Sequence, residues 1–185
     1  MHMKQLIILP GNSLKNKTWG EVMLAHYGPR FDSAYMQSYE HWENDESVID
    51  FDVELVKLRE RTAPLFEEME TVVMAKSAGA LLTFVAVAES IIKPTKCVFF
   101  GIPFDLAAEG IFKNDWSAVE NFSVPALAFH NEKDPTADYR YTMVILAQYA
   151  PHIKLVTTYE PDHWYGNTDV YDQPVDDFFA QPLGT

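Results

Sequence analysis

The 185-residue sequence is poor in cysteine, in basic side chains and in long apolar runs, and each shortage narrows what the chain can do. Cys97 is the one cysteine, so no internal disulfide can form, and its apolar neighbours make it a core position. The 14 lysines and arginines are outnumbered by 27 acids, for a formal net charge of -13. A surface that acidic argues against nucleic acid or an anionic membrane as the main partner. The longest apolar run, around Ala78 to Ala88, is broken by Thr83 and falls short of the about 18 residues a membrane span needs. The start, Met1 to Leu9, has no long apolar segment followed by a cleavage pattern, which predicts a cytoplasmic protein. No two histidines have the spacing of ligands on one helix, and the acids are dispersed as surface charge, so no metal is expected. A phosphate loop ending in Lys76 and Ser77 would need glycines upstream, and they are missing.

Apolar residues are plentiful at 48%, with 14% aromatic. A chain of this length and composition fits one domain over residues 1–185, able to bury roughly 70% of the surface its unfolded form exposes. Thr71, Val72, Val73, Met74 and Ala75 form a β-branched apolar run without polar alternation, the pattern of a strand covered on both faces. After Lys76 and Ser77 the pattern becomes that of a buried helix, from Ala78 through Leu81, Leu82, Phe84 and Val85 to Ile92. Ser77 thus stands where a buried strand turns sharply into a buried helix. Ala75 and Gly79, two residues to either side, keep that turn narrow. A serine here is either the N-cap of a core helix or a hydroxyl lifted out of the sheet edge.

Along the rest of the chain, strand patterns alternate with helical ones. Gln5 to Leu9 is a first strand, stopped by Pro10 and Gly11. Thr18 is placed to cap a helix carrying Trp19, Val22, Met23 and Leu24 and ending at Gly28-Pro29. Phe31 to Tyr39 follows as a mixed strand. Tyr39 to Glu46 is an acidic and aromatic loop, either solvated or a substrate rim with Trp42 as an apolar wall. A helix from Ser47 or Asp50 ends near Pro64. Lys96 to Gly101 is another buried strand. Phe104 to Val124 has no clear period, and its Phe104, Phe112, Trp116 and Phe122 either edge a narrow acyl pocket or cover the sheet. Pro125 to Phe129 is a strand, Ala137 to Ala150 a helix with Tyr141, Val144, Ile145 and Ala147 inward, and Ile153 to Thr158 the last strand. Val175 to Ala180 docks as a short helix. This alternation predicts an α/β fold, a three-layer α/β/α sandwich around a mostly parallel sheet.

In such a sheet, functional groups gather at the carboxyl ends of the strands. Ser77, Asp134 and His163 each follow a predicted strand by a few residues. A serine hydroxyl is a weak nucleophile near neutrality. A histidine must take its proton, and a carboxylate must hold that imidazole in one tautomer. Asp138 competes with Asp134 but belongs to the next helix. His26, His41, His130 and His152 are less well placed than His163.

The string Ala75-Lys76-Ser77-Ala78-Gly79, the turn Asn131-Glu132-Lys133-Asp134-Pro135 and the order Ser, Asp, His resemble the α/β-hydrolase superfamily. The first matches its nucleophile elbow, G-x-S-x-G, with alanine for the first glycine, and the second its G-x-x-D turn, with Asn131 nearest the usual glycine. Nearly the whole chain resembles a compact member with a minimal lid, similar to the retinoblastoma-binding type of small serine hydrolases. The resemblance implies a cofactor-free hydrolase acting on a small-molecule ester, less readily a thioester or amide. Ser77 would be the nucleophile, His163 the base and Asp134 its orienting acid. The amides of Ala78 and of Gly11 or Asn12 would form the oxyanion hole, and Lys76, Trp42, Phe104 and Trp116 would contact substrate. Relatives of this size also include proteins known chiefly for their partners, so the rival reading is a protein-interaction module on a hydrolase scaffold.

Overall fold

Runs of apolar residues without polar alternation become strands here because both faces of the central strands are covered by helices. The computed structural model describes residues 3–43, 48–62 and 69–182. Six strands, β1 (Met3–Leu9), β2 (Ser33–Met36), β3 (Met69–Lys76), β4 (Lys96–Phe100), β5 (Ala126–Asn131) and β6 (Lys154–Thr158), form one sheet in the order β2-β1-β3-β4-β5-β6. Every pairing is parallel. Seven α-helices connect or follow them among the described residues: α1 (Lys15–Tyr27), α2 (Phe51–Thr62), α3 (Ala78–Ala88), α4 (Phe104–Ala107), α5 (Ser117–Glu120), α6 (Tyr139–Tyr149) and α7 (Asp172–Ala180).

Strand side chains alternate between two cores. Ile7, Leu9, Val73, Ala75, Cys97 and Phe99 join Leu58, Leu82, Phe84 and Ile145 under α2, α3 and α6. Leu6, Ile8, Val72, Met74, Val98 and Phe100 face the opposite way, onto Trp19 and Met23 of α1 and Val175 and Phe178 of α7. The result is the expected three-layer sandwich. The register sets Ala75 opposite both Leu9 and Phe99, so β3 is central and its carboxyl end is flanked by those of β1 and β4.

Several boundaries differ from the sequence expectation. Thr18 caps nothing: α1 starts at Lys15, before it, with no side-chain cap. The second strand shrinks from 31–39 to Ser33–Met36, because this edge strand pairs on one side only. In the acidic loop, Glu40–Trp42 forms a single 3₁₀ turn; Asn44 to Glu46, Ser47 and Pro64 lie outside the described residues. Asp50 caps α2, its Oδ1 accepting the amides of Asp52 and Val53 at 3.0 and 3.2 Å. The inward face of α6 is Thr142, Ile145 and Leu146; Tyr141, Val144 and Ala147 are exposed. The aperiodic stretch 104–124 holds only α4 and α5, each of 4 residues, too short to show a period.

Candidate active site

Strand β3 ends at Lys76 and α3 begins at Ala78, so Ser77 alone makes the turn. Its backbone is left-handed, with φ 52° and ψ -120°. That conformation costs a non-glycine residue about 1–3 kcal/mol, so it persists only where its surroundings enforce it. Here the Ser77 amide donates to Phe100 O at 3.0 Å, and its carbonyl accepts the Ala80 amide at 2.9 Å. An N-cap serine would spend its hydroxyl on the helix amides. Ser77 does not: its side chain makes no capping hydrogen bond. The Ala78 amide opens α3, so it has no acceptor within the helix. Gly79 is required by contact, because a Cβ there would strike the carbonyl oxygens of Leu9 and Pro10. The elbow helix therefore rests directly on the end of β1. The methyl of Ala75 is accommodated in the core beneath.

The loop after β1 is held from the far side. Tyr39 Oη donates to Pro10 O at 2.7 Å. His41 Nε2 and Trp42 Nε1 donate to Asn12 O at 2.6 and 2.8 Å, and the Ile49 amide donates to Asn12 Oδ1 at 2.7 Å. In a trans peptide C=O and N–H point oppositely, so the Gly11 N–H is directed away from Tyr39. Trp42 is thus tied to the loop carrying Gly11 and Asn12.

Across the sheet, His163 Nδ1 donates to Asp134 Oδ2 at 2.7 Å, which places the ring proton on Nδ1. His163 Nε2 is buried and has no hydrogen-bond partner among the described residues. Asp134 Oδ1 accepts the amides of Thr136 and Ala137 at 2.8 and 3.0 Å, and Tyr165 Oη donates to Oδ2 at 2.7 Å. Burial by itself would push the Asp134 carboxyl up. The hydrogen bond from His163 and its charge, with the bonds from Tyr165 and Thr136, outweigh burial and hold it below the ordinary carboxylate value. Gly101 joins this pair to the elbow. Its φ is +56°, and a Cβ there would lie 2.6 Å from Tyr165 Cε2 and 2.9 Å from His163 Cε1. Since Phe100, its neighbour, receives the Ser77 amide, Ser77 and His163 flank the same two residues of β4 and its turn.

Asn131, at the position resembling the family's glycine, is fully buried and ties the loop before His163 to β5. Its Nδ2 donates to Asp162 O at 2.8 Å, and its Oδ1 accepts from Thr158 Oγ1 at 2.5 Å. Asp138 caps α6 by accepting the Tyr141 amide at 2.8 Å, which disposes of it as a rival to Asp134.

The residues expected to contact substrate are seated differently. Lys76 is only 2% exposed, and its Nζ donates to Asn16 Oδ1. Burial lowers its pKa to about 8, while the carboxylates of Asp134 and Asp162 act to raise it. Phe104 is fully buried against Phe84, Phe112 and Trp116, and Trp116 stacks on Tyr149 at 5.9 Å. Phe104 and Phe112 belong to the core over the sheet, and Trp116, half-buried, packs against it from outside. Tyr165, Gly101 and Asn16 were missed as parts of the candidate site; the one sequence signal, Gly101 two residues before Pro103, reads only as a turn.

Of the other histidines, His26 pairs with Asp172 at 2.7 Å in the last turn of α1, toward the amino edge. His130 Nε2 donates to Ala137 O, and burial lowers its pKa. His152 stacks on Phe122. No cluster of three metal-ligating side chains occurs among the described residues, and no helix there is long and apolar enough to cross a membrane.

The sequence matches no family model and no curated protein at a significant level. The fold has counterparts among solved structures. An esterase from Pyrococcus furiosus superposes with a TM-score of 0.72 at 14% identity, over 99% of this chain and 82% of its own. An alpha-beta serine hydrolase homologue from Coxiella burnetii gives 0.72 at 12% identity, over 94% and 84%. Esterase 2 of Thermogutta terrifontis, phosphoramylated by tabun, gives 0.65 at 14% identity, over 96% and 82%. At identities this low the likeness carries the architecture and not the chemistry.

Proposed function

We propose that this chain, which has the α/β-hydrolase fold, is a serine hydrolase that cleaves a small carboxylic ester through an acyl-enzyme on Ser77. The observation that carries the reading is the left-handed Ser77, its hydroxyl withheld from the helix, on the same sheet edge as an imidazole whose Nδ1 is fixed by a buried carboxylate. In the reaction, Ser77 Oγ attacks the ester carbon while His163 Nε2 takes its proton. The amides of Ala78 and Gly11, or of Asn12, receive the developing oxyanion. His163 then protonates the departing alcohol. Water, deprotonated by the same nitrogen, attacks the acyl group, and the imidazolium returns that proton to Ser77 Oγ as the carboxylic acid departs. Asp134 stays ionised throughout and stabilises the imidazolium.

Thioesters and amides could enter the same cycle, with a thiol or amine leaving. Only α4 and α5 lie between β4 and β5, which supports the minimal-lid, retinoblastoma-binding type of small hydrolase. Leu106 and Trp164, 65% and 38% exposed in the segments following β4 and β6, supply apolar surface for a small acyl or alcohol group. A fluorophosphonate probe tests the proposal without knowledge of the substrate. It should label the wild type and spare Ser77→Ala, and a short-chain nitrophenyl ester should be turned over only by the wild type. Equal labelling of both proteins, or of neither, would overturn the reading in favour of an interaction module.

A further inference from the structure

Tyr165 occupies a position that packing does not explain by itself. It is 2% exposed, it adopts φ 53° although it is not glycine, and its hydroxyl is used in both directions. The hydroxyl accepts the Asn131 amide at 2.9 Å and donates its one proton to Asp134 Oδ2 at 2.7 Å. That oxygen is the one that receives His163 Nδ1, so the phenol and the imidazole share a single acceptor. The Tyr165 ring meets the His163 ring edge-on, centroids 5.7 Å apart and planes at 86°, and the absent side chain of Gly101 makes room for both. Its backbone carbonyl accepts Trp19 Nε1 at 3.0 Å, which anchors the left-handed residue to α1.

We propose that Tyr165 is a positioning residue that fixes the Asp134 carboxylate and tempers how strongly it polarises His163. The inference rests on the triad reading above. Two donors on one oxygen divide its negative charge. Withdrawing the phenol leaves more charge facing Nδ1–H and favours the imidazolium. A tyrosine that merely filled space would have no such effect. The other titratable groups around the pair are His130, bonded to Ala137 O; Lys76, bonded to Asn16 Oδ1 and subject to the charges of Asp134 and Asp162; Asp105, acting on His130; and Tyr171, beside the Tyr165 ring.

The test follows the His163 imidazole by NMR titration, assigned by comparison with His163→Gln, in wild type and Tyr165→Phe. The midpoint should rise in the variant by roughly 0.5–1 pH unit. The acid limb of kcat/KM should move with it, and kcat should fall about tenfold with KM little changed. A midpoint unchanged in folded Tyr165→Phe would reduce Tyr165 to a structural role. Fluorotyrosine at position 165, which keeps every contact and is a stronger donor, should move the midpoint the opposite way, and it decides the matter if the phenylalanine variant fails to fold. Because the midpoint is read without turnover, a protein that escapes the fluorophosphonate probe while its midpoint still shifts would overturn the hydrolase reading and leave this contact standing.

Discussion

Two buried lysines sit at opposite edges of the sheet, and they are treated in opposite ways. Lys96 opens β4 at the amino edge, and its Nζ donates to Phe178 O, Phe179 O and Gln181 O at 2.9, 2.9 and 2.5 Å. All three donors are used, on carbonyls at the end of α7 where a cation is welcome. Lys76 closes β3 at the carboxyl edge and has one side-chain acceptor, Asn16. The same contrast extends to the neighbours. At the amino edge Lys4 meets Glu70 and Arg30 meets Asp172 and Asp176, and Lys4, Glu70, Arg30 and Asp176 border a cavity of about 580 Å³ that lies far from Ser77 in the sheet. Among the described residues, the three buried imidazole nitrogens without a partner, on His41, His130 and His163, all follow or end strands at the carboxyl edge. The amino edge pairs its cations with acids and carbonyls. The other leaves groups under-paired, which is the condition for chemistry.

The comparison can be broken most decisively at Asp134. Asp134→Asn keeps the shape but cannot stabilise the imidazolium, so kcat/KM toward a nitrophenyl ester should fall about 10³–10⁴-fold. The carboxyl is held below its ordinary value in the folded chain, so it contributes stability above about pH 4 that is lost as pH falls further. Acid denaturation of the asparagine variant should lack that component. The next effect is at Lys76. Folded Lys76 releases its proton near pH 8, and the unfolded chain keeps it to about 10.5. Between these values the unfolded state binds the extra proton, so the Lys76 contribution to stability should rise with pH, by roughly 2–3 kcal/mol across the window, against the opposing contribution of the buried tyrosines and Cys97, whose pKa values burial raises. Lys76→Met should flatten this rise in urea titrations at pH 7.5 and 10; an unchanged slope would remove the contrast between the two lysines. Lys96→Met should cost about 2 kcal/mol by orphaning three carbonyls, and should leave fluorophosphonate labelling intact.

The sheet was legible because β1, β3, β4 and β5 are buried on both faces, which writes unbroken apolar runs into the chain. Edge strand β2 and the four-residue helices α4 and α5 were not, since neither imposes a period. The inward face of α6 was misread because Thr142 is buried through a hydrogen bond to Ile102 O, whereas Val144 is exposed. Ser77, Asp134 and His163 could be singled out as the proposed triad because that chemistry restricts the residue types and the fold restricts their order. Tyr165 and Asn16 were invisible for the converse reason. Their partners lie 31 and 60 residues away, and any hydroxyl or amide in the right place would serve as well.

The strap from Tyr39 to Trp42 grips the loop after β1 through backbone carbonyls, and the Ile49 amide holds the Asn12 side chain. Its hold depends on how many residues separate Met36, the last of β2, from Tyr39. Deleting one residue there would slide every grip out of phase at once while leaving each side chain in the chain. Evolution can therefore vary what this strap is made of far more freely than how long it is.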